Sequence, residues 1–187
     1  MAEKQPSIQL KAFDNTWYSS GRNKFVVAIW YMVNGIFLNS YLFPFSPFKV
    51  AVLRIFGAKV GKSVVIKPKV NIKYPWKLTI GNSSWIGERV WIDNLDDVLI
   101  GPNVCISQGA MLLCGNHNYN KTTFDLFTGK IHLEDGVWLG AKAIVCPGIV
   151  CKSHAVLAVA SVATTNLEAF SIYQGNPAVK IKDRVIN

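Results

Sequence analysis

HLEDGVWLGAKAIVCPGIVCKSHAVLAVASVA, residues 132–163, places an aliphatic or small apolar residue at every sixth position: Leu133, Leu139, Val145, Cys151, Leu157 and Ala163. A helix repeats its face every ~3.6 residues and a half-buried strand every ~2, so a sustained period of six fits neither. It is the mark of a parallel β-helix, in which each hexad supplies one short strand and one turn. The fourth residue after each ladder position is again small or β-branched: Val137, Ala143, Ile149, Ala155 and Ser161. Such side chains suit a narrow interior shared with the aliphatic ladder.

Upstream the same ladder runs in threes: Val60, Ile66, Ile72; Ile80, Ile86, Ile92; Ile100, Ile106, Leu112. In all, 15 positions obey the rule. Two extra residues separate Ile72 from Ile80, two more separate Ile92 from Ile100, and 15 separate Leu112 from Leu133. Breaks after every third hexad imply a three-sided coil whose insertions all leave from one corner, and clustered insertions usually build a binding face. Glycine follows the ladder residue at Gly61, Gly81, Gly87, Gly101 and Gly140, read as freedom to turn a corner. The fold expected is all-β, a parallel β-helix of about five triangular coils over residues 60–166 with an inserted loop at 113–132. Residues 1–59 should form a short helical N-terminal cap and residues 167–187 a C-terminal tail, since solenoids need their ends covered.

Half of the 187 residues are apolar and only 17% are charged, which excludes a disordered chain. The net charge of +9 fits a polyanionic partner, a nucleotide cofactor or an anionic membrane, as well as plain solubility. No arginine-rich run or RNA-binding aromatic signature is present, so no nucleic acid partner is expected. Cys105, Cys114, Cys146 and Cys151 form no CxxC pair and read as reduced thiols, with no metal expected. The polar start MAEKQPSIQLK has no leader pattern, which points to a cytoplasmic protein. The apolar stretch 25–48 is interrupted by Asn34, Gly35, Asn39 and Ser40 and closed by Pro44 and Pro47, so it reads as one or two short helices rather than a membrane span. Peripheral contact with the inner face of the membrane stays open.

IGPNVCISQGAMLLCGNHNY (100–119), the stretch 132–165 and YQGNPAVK (173–180) resemble the hexapeptide-repeat O-acetyltransferases. The resemblance spans about residues 55–182 and is nearest to the colanic-acid-biosynthesis type, with galactoside and maltose acetyltransferases more distant. It implies a left-handed β-helix, a homotrimer with sites between subunits, acetyl-CoA as donor and a sugar or polysaccharide-precursor hydroxyl as acceptor.

His117, at the start of the long insertion, matches the family's general base; imidazole titrates near working pH and can accept and return a proton. His132 and His154 read as surface residues. Asp93 and Asn94 should stack one coil below His117, where they could bind acceptor hydroxyls, fix the imidazole tautomer or simply make a turn. Asp125 in the long loop is a further acceptor candidate. The resemblance puts the donor along Ala141, Val159, Ala160, Thr164 and Thr165, with Asn176 and Pro177 at the nucleotide end. Lys180 and Lys182 would supply phosphate contacts, because Thr165 stands where the family often has lysine. Trp138 should point outward, toward the thioester or a subunit contact. Cys114 lies three residues before His117, so a thiol relay is conceivable, but direct attack on the thioester is the expected route. The alternatives are acylation of an amino sugar or of serine, a non-catalytic β-helix scaffold, and a carbonic-anhydrase-like zinc site, for which three histidines are few.

Overall fold

The computed structural model describes residues 6–187; the first five residues of the polar start lie outside them. Every ladder residue except Val60 is buried, and so is every small or β-branched residue four positions later, from Val64 to Ser161. The two sets fill a tube with three parallel faces. The first face stacks Lys59–Val60, Leu78–Ile80, Val98–Ile100, Ile131–Leu133 and Val150–Cys151. The second stacks Val65–Ile66, Trp85–Ile86, Cys105–Ile106, Trp138–Leu139, Val156–Leu157 and Ser171–Gly175. The third stacks Asn71–Ile72, Trp91–Asp93, Met111–Leu113, Ile144–Val145 and Val162–Ala163. Pairing is in register, so Ile66, Ile86, Ile106, Leu139 and Leu157 form one interior column. Truncating any of them to alanine should cost about 2–5 kcal/mol.

The solenoid has about six turns, not five. Leu167 bridges Cys151 on the first face and Tyr173 stacks on Leu157 on the second, so much of the expected tail is a sixth, partial turn. Ala178–Asp183 then folds back antiparallel on Ser171–Gly175 and closes that end. Hexad counting misses this turn because the spacing from Ala163 to Leu167 is four residues.

The glycines also have a different cause from the one expected. None of Gly61, Gly81, Gly87, Gly101 and Gly140 has a positive φ. Successive coils touch there: a Cβ on Gly81 would collide with the backbone of Gly101 and Pro102. The left-handed turn falls two residues later, largely on non-glycine residues such as Ser63, Lys69, Ser83, Arg89, Asn103, Lys142, His154 and Ala160. Such angles cost an L residue about 1–2 kcal/mol each and persist because the flanking ladders over-determine the corner.

The first coil leaves strand edges that no strand covers. Helix α1 (Lys24–Val33) continues into a π-helical turn at Asn34–Leu38, and helix α2 (Ser46–Ile55) follows. Asn23 caps α1 by accepting the Val26 N–H at 2.9 Å, and Pro47 sits in the first turn of α2. Side chains from these helices satisfy the open edge. The Trp30 indole N–H donates to the Ile72 carbonyl at 2.9 Å, Ser46 Oγ accepts the Ile66 N–H at 2.9 Å, and the Lys49 ammonium donates to the Lys67 carbonyl at 2.8 Å. Arg54 donates to the carbonyls of Val60 and Gly61. The helices thus blunt an edge that would otherwise template another strand. Among the described residues no helix is long and apolar enough to cross a membrane.

Candidate active site

The three insertions leave from the corner between the third face and the next first face, and they stack. Asn94 reaches down one turn and grips the Tyr74 backbone at both ends, accepting its N–H at 2.9 Å and donating to its carbonyl at 2.6 Å. The Cys114 N–H donates to the Asp93 carbonyl one turn below it. The long insertion begins as an antiparallel hairpin, Gly115–His117 against Leu126–Thr128, closed at its base by the Gly129 N–H on the Cys114 carbonyl at 2.8 Å.

His117 ends the first strand of that hairpin. Its Nδ1 lies 2.9 Å from the backbone carbonyl of Phe124. A carbonyl can only accept, so in neutral imidazole Nδ1 carries the proton and Nε2 keeps a free lone pair. The Phe124 ring stacks on the imidazole with centroids 4.4 Å apart, and Phe13 from the N-terminal segment tilts over it at 5.5 Å. A backbone carbonyl therefore fixes the tautomer, a role that the sequence left open for Asp93 or Asn94. Phe124 itself holds a positive φ of 52°, a strained angle for a bulky residue in the turn at the hairpin tip.

Asp93 is mostly buried beside Lys73, whose ammonium lies 2.9 Å from Oδ1. That contact is an ion pair by distance, but it completes no hydrogen bond to the buried oxygen. Together with Tyr31, Asn71 and Trp91 the pair borders a recess of about 220 Å³. Asn94 is fully buried and spent on Tyr74, which makes it wall rather than acceptor contact. Asp125 is tied to Lys121 at 2.8 Å across the hairpin tip, which holds its carboxyl below the ordinary range. Cys114 is fully buried, and burial pushes its thiol up to about 12, so it stays protonated and cannot serve as a relay at neutral pH.

Residues 9–20 run over this corner, a placement that the reading of 1–59 as an end cap did not foresee. The Gln9 N–H donates to the Thr122 carbonyl at 2.8 Å and the Tyr18 hydroxyl to the Leu95 carbonyl at 2.9 Å. Lys77, its ammonium destabilised by burial, donates to the carbonyls of Leu95 and Ser19. Phe13, Tyr18, Phe124 and Lys77 fall outside the hexad ladder, and no periodic signal marks them.

The expected donor residues do not share this corner within one chain. Ala141, Val159 and Ala160 lie on the corner between the second and third faces, where the Ala160 N–H donates to the Ala141 carbonyl. The Gly175–Pro177 turn, with Asn176, lies above it, the Gly175 N–H donating to Ser161 Oγ at 3.0 Å. Below it a groove of about 630 Å³ is lined by Trp85, Arg89, Ser107, Gln108 and Lys142. Trp138 is exposed on the second face, its indole N–H donating to Ser107 Oγ at 3.0 Å. Lys180 and Lys182 lie on the returning strand, Lys180 paired with Asp183 at 2.7 Å. Only Thr164 and Thr165 lie on the His117 corner, two turns farther along.

The remaining histidines are apart from both groups. His132 sits on the first face between Leu99 and Val150. His154 occupies the corner between the first and second faces, stacked on Phe170 at 4.7 Å with Nδ1 2.7 Å from Ser153 Oγ. Among the described residues no three His, Cys, Asp or Glu side chains group as metal ligands.

No family model matches the chain. It is similar to the colanic acid biosynthesis acetyltransferase WcaF of Escherichia coli K12, with 35% identity over 170 residues that cover 88% of this chain and 91% of that protein. Its fold is that of a hexapeptide-repeat acetyltransferase from Vibrio cholerae complexed with acetyl coenzyme A, with a TM-score of 0.79 and 17% identity over 87% of this chain and 89% of that one. It is also that of a maltose O-acetyltransferase from Clostridium difficile 630, with a TM-score of 0.78 and 18% identity over 88% and 90% of the two chains.

Proposed function

Since this chain belongs to the hexapeptide-repeat acetyltransferases of the colanic acid biosynthesis type, and is thus an acyltransferase, we propose that it moves acetyl from acetyl-CoA to a hydroxyl of a sugar or polysaccharide precursor with His117 as general base. The observation that carries this reading is the 2.9 Å contact of His117 Nδ1 with the Phe124 carbonyl, which leaves Nε2 free to take a proton.

The acceptor hydroxyl gives its proton to Nε2 as its oxygen attacks the thioester carbonyl. A tetrahedral oxyanion forms and collapses, the carbon–sulfur bond breaks, and the imidazolium returns the proton to the departing CoA thiolate. No covalent enzyme intermediate is needed, in keeping with the protonated state of Cys114. Asp93, at the recess beside Lys73, is the carboxylate we assign to contact an acceptor hydroxyl.

The donor lies along the corner of Ala141, Val159 and Ala160, with Asn176, Pro177, Lys180 and Lys182 toward the nucleotide. Arg89 and Lys142 on the groove below add positive charge suited to phosphates. Because that corner and the His117 corner are different edges of one tube, a neighbouring chain must bring them together. A homotrimer, with Thr164 and Thr165 of one chain facing the donor corner of the next, does so.

The test uses labelled acetyl-CoA with a panel of nucleotide sugars, oligosaccharides and lipid-linked sugars. Wild type should acetylate a hydroxyl acceptor, and His117→Ala should lose about 100-fold or more in kcat while CoA binding persists. Unchanged turnover by His117→Ala would overturn the assignment; transfer only to amines would overturn the hydroxyl acceptor.

A further inference from the structure

Charge is segregated along this solenoid. Residues 15–87 contain 10 lysines and arginines and no aspartate or glutamate, whereas residues 88–187 contain 8 and 9. The whole net charge therefore sits at the helix-capped end. Arg22, Lys24, Arg54, Lys59, Lys62 and Lys67 are exposed there.

The cap helices are apolar on both sides. Trp30, Asn34 and Leu38 face the first coil and are buried. Phe25, Ile29, Met32 and Ile36, spaced by four, three and four, line the opposite side and are exposed, Phe25 at 74% and Met32 at 68%. In α2, Val50 and Leu53 are buried while Phe48 and Ile55 are exposed, Ile55 at 79%. Leu42 and Phe45 in the connecting loop are exposed as well. An exposed apolar stripe of this kind marks an interaction surface.

We propose that this end of the solenoid docks on an anionic phospholipid surface, the apolar stripe of α1 and the exposed residues of α2 entering the headgroup boundary while the surrounding lysines and arginines meet lipid phosphates. Large aromatic and aliphatic side chains with cations close by make up the chemistry of a helix lying in a membrane interface, and the cap helices carry no carboxylate of their own, although Glu88 of the second coil accepts from the Tyr41 hydroxyl at 2.8 Å. The helices are too short to span, so contact stays at one leaflet. A second copy of the same end is a poor partner, because a two-fold contact would set like charges against each other.

The test is co-sedimentation of the full chain with phosphatidylcholine vesicles that contain or lack phosphatidylglycerol. Wild type should bind the anionic vesicles at least ~10-fold better than the neutral ones and be released by salt that shortens the screening length. Phe25→Ser/Met32→Ser/Ile36→Ser and, separately, Arg22→Glu/Lys24→Glu should each lose ~10-fold in binding with unchanged thermal unfolding. Equal binding to both vesicle types, or undiminished binding by the charge-reversed variant, overturns the proposal. So does a change in subunit number in the serine variant, which would make the stripe a contact between chains.

Discussion

One residue, Phe124, controls His117 in two ways: its carbonyl lies 2.9 Å from Nδ1 and its ring stacks on the imidazole at 4.4 Å. The first contact sets which nitrogen is protonated and the second sets the plane in which the lone pair points. Phe124→Ala keeps the carbonyl and removes the stack. It should lower kcat by about 3–10-fold with little change in the KM for acetyl-CoA, since positioning is lost but the base is not. Steady-state kinetics with the acceptor found in the panel would check this; an unchanged kcat would leave the stack without a role in orientation.

The separation of His117 from Ala141 on different edges predicts complementation between inactive chains. His117→Ala lacks the base, and Ala141→Tyr should obstruct the donor corner. Each alone should be inactive. Unfolded together and refolded at equal ratio, they should recover about a quarter of wild-type activity by random mixing, because some interfaces then pair an intact base with an intact donor corner. Absence of recovery in mixed trimers would mean that each site is built from one chain.

Asn94 holds both the N–H and the carbonyl of Tyr74 in a fully buried position. Asn94→Leu strands two backbone groups and should destabilise the fold by about 2–4 kcal/mol. Urea denaturation measures that loss. The KM for acceptor should stay near wild type at temperatures where the variant is folded, and a selective rise in KM would return Asn94 to the acceptor site.

Burial raises the Cys114 thiol from 9.0 to about 12. Between those values the folded chain keeps a proton that the unfolded chain has released, so stability falls as pH rises through that window and is unaffected by this group below it. The slope is roughly 1.4 kcal/mol per pH unit for one such thiol. Cys114→Ala should flatten the decline between pH 9 and pH 11 in denaturant titrations, with Cys151, also at about 12, leaving a remainder. The native chain should resist alkylation at Cys114 near neutral pH.

The ladder from Ile66 to Ala163 was readable because a narrow tube accepts only one class of side chain at each sixth position, and packing writes itself into spacing. The common corner of the insertions followed from the same count. The sixth turn was not readable, since Leu167 follows Ala163 by four residues and breaks the register on which the count depends. At the candidate site, the motif singles out His117, whereas Phe124 touches it through a backbone carbonyl, which any residue possesses. The docking of Phe13 and Tyr18 depends on a chain path with no period. Asn94 shows the converse: an amide beside an aspartate in a turn looks the same in sequence whether it faces solvent or clasps the turn below.

All the irregular length of this solenoid is released at a single edge. The other two edges and three faces keep their six-residue cadence whatever the loop at 113–132 contains. Lengthening, shortening or rewriting that loop leaves the interior columns in step, so the corner proposed to meet an acceptor can diversify without renegotiating the part that keeps the chain folded.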